Sequence, residues 1–379
     1  MGCLVCQNCG GCVYRQMTLE AYQQKKETDV RLLLEQNLGS LEGIWEEPVF
    51  LPDGTRRRAA FAFKMTGKKL ILGFNENKSN VLADVKDCAM LTPKINAALH
   101  DLHELLAKLC SFQTKTVKKT KTVKQLQKGD LLVLDTQNGL DVVLEADTDL
   151  SLDDRWEIAD FMNAHDAFVR FSFRKKYGEE SEPVVEKAKP FINICGTNVF
   201  ISSGEFLQAS KEGEQALIDI VLRYVGNTRG PAMDLFCGIG TFSYALANLP
   251  GMRVLSIDVN KSLLKNFEHS IHEKMIQNIQ IEAKNLFVYP LVADELYGYN
   301  VIVFDPPRAG AKEQVHEFCK IEADKRPEKL IAVSCNPTTF ARDAKMLQNN
   351  GYVLRKITMV DQFVYSNHSE LVGLFTNEK

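Results

Sequence analysis

The sequence predicts an α/β protein: a mostly parallel sheet covered by helices in its carboxyl-terminal half, an antiparallel β-rich domain inserted ahead of it, and a short cysteine-bearing arm at the front. Three observations carry this. From about residue 205, continuous apolar runs alternate with helical periodicity, as in strands buried on both faces of a parallel sheet. Between about 45 and 200, shorter β-rich runs alternate with turn signals, as in antiparallel hairpins. Cys3, Cys6, Cys9 and Cys12 crowd into the amino terminus.

The elements follow in order. Residues 1–12 form the arm. Residues 13–44 form a helical segment expected to pack on the carboxyl-terminal domain: Leu19, Tyr22, Val30, Leu33 and Leu34 recur at helical spacing, and Asn37-Leu38-Gly39 offers a stop. Residues 45–204 form the β-rich domain, with strands expected at 59–63, 70–74, 131–134 and 140–144. A helix is expected over 93–110, and turns at Pro52-Asp53-Gly54 and Gln137-Asn138-Gly139. Residues 205–379 carry strands at 232–236, 253–257, 301–304 and 330–333, with a further strand before Asn285 and two more near 352–359 and 370–376. That makes seven.

A length of 379 residues suits two or three domains. The chain is 45% apolar and 25% charged, as in soluble globular proteins, and no apolar run approaches bilayer length. The first residues lack the basic and apolar regions of a signal peptide, so a cytoplasmic monomer without a membrane partner is expected. A net charge of −3 neither supports nor excludes a nucleic-acid partner, because binding depends on local charge. Clustered cysteines without a secretion signal suggest metal or cluster ligation before disulfides. The near-repeat Thr114-Lys115-Thr116-Val117-Lys118 and Thr120-Lys121-Thr122-Val123-Lys124 suits either a solvated edge strand or an RNA phosphate contact.

Asp234-Leu235-Phe236-Cys237-Gly238-Ile239-Gly240-Thr241 closes the first parallel strand and opens a helix. The glycines allow a tight turn and let a ligand approach the backbone. No Gly-Lys-Ser/Thr follows, so this is not a phosphate loop. The second strand ends at Asp258, where an acid binds ribose hydroxyls, and Asn285 follows the third strand within reach of an adenine edge. Acids before and after the loop suit a nucleoside ligand without a pyrophosphate, such as S-adenosylmethionine. An NAD-binding or purely structural turn is the alternative.

Asp305-Pro306-Pro307-Arg308 ends the fourth strand and Ser334-Cys335-Asn336-Pro337 the fifth. Functional groups of open α/β sheets gather at the carboxyl edge of the strands, so Asp305 and Cys335 should face one crevice. A thiolate suits C5 of uracil, which is too weakly nucleophilic to take a methyl group directly. Addition of sulfur to C6 makes an enolate that is reactive enough. Residue type alone equally allows Cys335 to be a buried apolar cysteine. Glu370 begins the last strand and is a candidate base if that strand is antiparallel; His368 is its rival.

These pieces, with His368-Ser369-Glu370, resemble the RNA uracil-C5 methyltransferases that modify tRNA and 23S ribosomal RNA. The resemblance implies a class I Rossmann-like methyltransferase domain with a seven-stranded, mostly parallel sheet. It implies Cys335 as nucleophile, Glu370 as base, and Gln208, Phe236, Thr241, Asp258, Asn285 and Asp305 as the lining of the S-adenosylmethionine site. Thr241 stands where the family often has asparagine, and Val364-Tyr365 where it usually has Pro-His. The arm resembles the cluster-binding segment of the ribosomal RNA branch, and Asp84-Val85-Lys86-Asp87-Cys88 its fourth-ligand pattern. Cys3, Cys9, Cys12 and Cys88 would then hold a [4Fe–4S] cluster. By spacing alone, zinc or a ferredoxin-like cluster using Cys6 fits as well. The implied partner is RNA, 23S rRNA before tRNA, at a single-stranded loop uridine that can be splayed out to reach a thiol. RNA contact is expected from the middle domain, at Arg56-Arg57-Arg58 and the lysine repeat. Methylation of another base or a small molecule, and a noncatalytic Fe–S RNA-binding protein, are the competing classes.

Overall fold

The computed structural model describes residues 3, 7–111, 126–175 and 179–377. Cys6 and the lysine–threonine repeat lie outside the described residues. The chain divides into two compact units. One comprises Met1–Gln16, Pro52–Ile192 and Phe200–Lys211; the other comprises Met17–Leu51, Asn193–Val199 and Glu212–Lys379. Each unit is assembled from separated stretches, so the boundaries differ from those expected at 45 and 205. Residues 45–51 belong with the carboxyl-terminal sheet, and residues 205–211 with the β-rich unit. A reading of texture along the chain cannot see such exchanges.

The carboxyl-terminal unit holds a sheet of eight strands among the described residues. Their spatial order is Val49–Phe50, Tyr352–Asp361, Glu370–Asn377, Lys329–Ser334, Val301–Phe304, Pro231–Leu235, Arg253–Asp258, Ile279–Ala283. Seven were expected. The eighth is Val49–Phe50, which runs parallel to the strand Tyr352–Asp361 and is too short to carry a periodic signal. The central strand Val301–Phe304 buries all four of its residues, which is why it reads as a continuous apolar run. Pro231–Leu235 has Arg253–Asp258 on one side and Val301–Phe304 on the other, both parallel to it. Connections therefore leave it in opposite directions, which opens a ligand crevice at its carboxyl end.

The last strand, Glu370–Asn377, is antiparallel to both its neighbours, with Leu371 opposite Ser334 and Glu370 opposite Val360. Its beginning therefore lies at the edge where the parallel strands end. The helix Leu19–Leu38 is capped by the Thr18 side chain and stops at Gly39, whose φ of 88° is left-handed and whose N–H reaches the Glu35 carbonyl. It buries a stripe of every fourth residue: Tyr22, Lys26, Val30 and Leu34. The apolar end of this stripe joins the core with Phe340, Ala344 and Leu347 of the helix Pro337–Asn349.

The β-rich unit holds a seven-stranded sheet among the described residues. Its pairs are antiparallel except Gly139–Glu145 with Phe168–Arg174, which the helix Leu152–Ala164 connects in parallel. The helix Pro93–Ser111 sets Ile95, Leu99, Leu102 and Leu106 into a core with Phe61, Phe63, Leu72 and Val133. The strand Phe168–Arg174 is buried throughout. Its arginines are paired: Arg170 with Asp141, at 2.8 and 2.9 Å in a two-pronged contact, and Arg174 with Glu145 at 2.8 Å.

Arg170, with Arg57 and Arg58, also serves residues 200–211. Arg170 donates to the Ile201 carbonyl at 2.9 Å, and Arg57 Nε to the Gln208 carbonyl at 3.0 Å. Arg57 N–H reaches the Ala209 carbonyl, and the Arg58 guanidinium lies 5.6 Å from the Phe206 ring centre. The basic run 56–58, expected to face RNA phosphates, is thus engaged inside its own unit, and Arg57 is buried.

Candidate active site

The cofactor loop follows the strand Pro231–Leu235 and enters the helix Thr241–Ala247. Phe236, Gly238 and Gly240 all have positive φ, at 62°, 56° and 90°. Glycine is required at 240 on two counts: the left-handed backbone, and a Cβ there would meet the Phe267 ring at 2.4 Å. Phe236 tolerates the strained conformation; its ring lies 5.3 Å from that of Phe287.

Asp258 ends the second strand and ties the loop. Its two oxygens accept from Gly238 N–H at 3.0 Å and Asn260 N–H at 2.8 Å. Asp234 is fully buried beneath the loop. One oxygen accepts from the Ser243 hydroxyl at 2.6 Å, which also meets Ser256; the other has no partner among the described residues. Burial first, then the charges of Asp305 and Asp258, push the Asp234 carboxyl up to about 7 against the Ser243 bond. Thr241 is buried at the start of the helix, and Asn285 turns the chain after Ile279–Ala283, accepting from Phe287 N–H at 3.1 Å. Gln208 is buried in the β-rich unit.

The reaction edge brings Asp305, Cys335 and Glu370 together electrostatically. Asp305 follows Val301–Phe304, and burial raises its carboxyl well above the usual range. Cys335 follows Lys329–Ser334, directly before the helix that Asn336 caps. Its thiol is pushed up to about 11, by burial first and then by the charges of Glu370 and Asp305, while Arg308 acts the other way. Glu370 is buried, and its carboxyl is raised by burial and then by Asp305. Two carboxylates and a thiol this close cannot all ionise freely.

Other side chains at this edge hold its loops together. Gln362 donates to Glu370 Oε1 at 2.9 Å. The Arg308 carbonyl accepts from Asn336 Nδ2 at 3.2 Å, joining the loops that follow two neighbouring strands. The Arg308 guanidinium stands 3.1 Å from His368 Nε2. Gln362 was legible in principle: it continues one arm of a hairpin whose other arm begins at Glu370.

Among the described residues, no three His, Cys, Asp or Glu side chains are grouped to hold a metal ion. The thiols of the arm nevertheless converge on Cys88. The Cys12 thiol is pushed up to about 12, by burial first and then by Cys88, Cys9 and Cys3. Cys88 is raised by burial, with Cys3 and Cys9 adding to it. The arm lies along its own unit: Gly10 N–H bonds the Asn75 carbonyl at 2.9 Å, so closely that a Cβ on Gly10 would sit 2.9 Å from the same oxygen. Asn96 holds Cys88 from both sides, accepting from its N–H and donating to its carbonyl.

Comparison with known proteins gives concordant findings. A family model described as tRNA (Uracil-5-)-methyltransferase matches residues 174–287 and 289–379. An uncharacterized RNA methyltransferase of Brucella melitensis is 34% identical over 98% of this chain and 82% of its own length. A 23S rRNA (uracil(1939)-C(5))-methyltransferase of Photorhabdus laumondii is 27% identical over 97% of this chain and 80% of its own length. The crystal structure of a Pyrococcus abyssi tRNA (uracil-54, C5)-methyltransferase in complex with S-adenosyl-L-homocysteine has the same fold, with a TM-score of 0.70 at 22% identity, covering 94% of this chain and 83% of that one.

Proposed function

The chain belongs to the tRNA (uracil-5-)-methyltransferase family and is an RNA methyltransferase; from that premise we propose that it methylates C5 of a uridine in 23S rRNA, with Cys335 as nucleophile and Glu370 as base. The observation that carries this is the arrival of Glu370 beside Cys335 and Asp305, through a strand that runs against the rest of the sheet. The rRNA assignment rests on the similarity to the Photorhabdus protein and on the cysteines of the arm. A tRNA uridine is the second reading, favoured by the description of the family model. The β-rich unit is assigned to RNA binding, with a single-stranded loop uridine as target.

The proposed roles are as follows. When bound, S-adenosylmethionine supplies an electrophilic methyl on a sulfonium cation. Phe236, Thr241, Asp258, Asn285 and Asp305 are assigned to hold it. Burial first, then the charges of Glu370 and Asp305, keep the Cys335 thiol protonated, and the positive charge of a bound methyl donor would offset the two carboxylates. The Cys335 thiolate adds to C6 of the uracil, and the electron pair of the C5–C6 double bond moves into an enolate. C5 takes the methyl group as the sulfonium–methyl bond breaks. Glu370 removes the C5 proton, the double bond re-forms and the Cys335 thiolate leaves. Glu370 is preferred to His368 because Arg308 donates to the His368 nitrogen that would have to accept the proton.

The test is RNA containing 5-fluorouridine. Fluorine cannot leave as a proton does, so a denaturant-stable complex should form and peptide mapping should find it on Cys335. Wild-type enzyme without an adduct, or with one at another residue, would refute the assignment. Mass spectrometry of rRNA and tRNA from a deletion strain separates the two RNA readings.

Cys3, Cys9, Cys12 and Cys88 are assigned to a [4Fe–4S] cluster that ties the arm to the β-rich unit. Protein purified without oxygen should contain iron and acid-labile sulfide in near-equal amounts, and Cys88→Ser should lose both. Zinc in place of iron would overturn this.

A further inference from the structure

We propose that Tyr22 and Lys26, on the helix Leu19–Leu38, are positioning residues that aim Glu370 through Asp361 and Gln362. The proposal rests on the reading of Glu370 as the base. The amino-terminal end of the buried stripe of this helix is polar where the rest is apolar. Lys26 is 3% exposed and Asp361 is fully buried, and the two form an ion pair. The Lys26 ammonium also donates to the Phe363 carbonyl at 3.2 Å and to the Tyr22 hydroxyl at 3.2 Å. That hydroxyl donates to the second Asp361 oxygen and accepts from Tyr365 N–H at 2.7 Å.

The helix thus grips the end of the strand Tyr352–Asp361 and the loop that follows it at three alternate residues: 361, 363 and 365. Tyr365 has a φ of 59°, in the left-handed region, and its ring lies 4.5 Å from that of Tyr22. A loop held in this conformation has little freedom. Its first residue, Gln362, donates to Glu370 Oε1 at 2.9 Å, and Glu370 is paired with Val360 across the hairpin. The mechanical path therefore runs from helix to Asp361, to its neighbour Gln362, to the carboxylate.

A buried ion pair is a poor device for stability, because desolvation consumes most of the attraction and an apolar replacement does as well. It is a good device for fixing one geometry, since every donor and acceptor has a required direction. Here the fixed geometry is that of the segment carrying the base. A misplacement of about 1 Å at a reacting group costs on the order of a hundredfold in rate.

The experiment compares the full-length wild-type enzyme with Tyr22→Phe, which keeps the ring, and Lys26→Gln, which keeps a donor. A uridine-containing RNA, its 5-fluorouridine counterpart and S-adenosylmethionine are the probes. We expect kcat on uridine RNA to fall about 10- to 100-fold with kcat/KM within about twofold of wild type, so that KM falls together with kcat. A denaturant-stable protein–RNA adduct should build up on ordinary uridine, because the step that releases Cys335 is the slow one. The rate of adduct formation with 5-fluorouridine RNA should stay at the wild-type level. Wild-type kcat in both variants would overturn the proposal. So would equal slowing of turnover and fluorouridine trapping, which marks a general loss of structure. If one variant does not fold, the other decides; if neither folds, the network holds the fold and the proposal is wrong. Failure of the wild-type enzyme to trap fluorouridine RNA is a different result, and removes the assignment of Cys335 and Glu370 itself.

Discussion

Cys335→Ala is expected to lower methyl transfer by at least about a thousandfold, roughly 4 kcal/mol of transition-state free energy. Without the thiolate no bond forms to C6, and C5 stays an ordinary vinylic carbon facing an electrophile it cannot attack. The side chain is small and half-buried, so its loss leaves the sheet edge standing. Binding of S-adenosylmethionine, measured by calorimetry, should remain within about twofold of wild type, because the residue is assigned to the RNA base and not to the cofactor. Cys335→Ser should fare little better, since a hydroxyl is far harder to ionise than a thiol. Full activity in the alanine variant would end the covalent mechanism, whatever the RNA substrate. The thiol stands directly ahead of the helix Pro337–Asn349, whose amino terminus favours negative charge, and near Arg308. Burial and two carboxylates work against these, and they hold it near 11 until charge enters the crevice.

The parallel strands were legible because burial on both faces leaves them no polar residues, and the motifs at their carboxyl ends marked one edge of one sheet. The direction of the last strand decided whether Glu370 joined that edge, and no periodicity encodes direction; the antiparallel pairing with Lys329–Ser334 supplied it. Buried polar residues were the harder case. The strand Phe168–Arg174 was missed because Arg170, Ser172 and Arg174 break its apolar pattern, although Asp141 and Glu145 pair the arginines inside. Arg57 is a further instance: it stands in a basic run that reads as a surface for phosphate, yet it serves the carbonyls of residues 208 and 209. Lys26, on a helix rich in Glu, Lys and Gln, is buried on Asp361. In each instance the sequence displays the charge while its partner lies far along the chain.

Glu370→Gln is expected to stop the cycle one step after methyl transfer. Attack by Cys335 and transfer to C5 do not require the carboxylate, but the C5 proton then has no acceptor and the bond from sulfur to C6 persists. Ordinary uridine RNA should therefore accumulate in a covalent complex that carries the transferred methyl, read as a labelled, denaturant-stable band; turnover should fall by about a thousandfold or more. Normal turnover, or no labelled band, would exclude Glu370 as the base. The pH dependence has a definite sign. The folded-state carboxyl is raised by burial and by Asp305, and only its ionised form accepts a proton. Wild-type turnover should then decline as pH falls through a value well above the ordinary glutamate range, with Asp305 and Glu370 titrating as a pair. Stability runs the opposite way. A carboxyl raised in the folded state favours folding fully below its unfolded value, and this contribution is lost as pH rises through the folded value. The glutamine variant lacks that loss, so near neutral pH it should unfold at the same temperature as wild type or higher. An inactive variant that is no less stable than its parent separates the failure of a base from the failure of a fold.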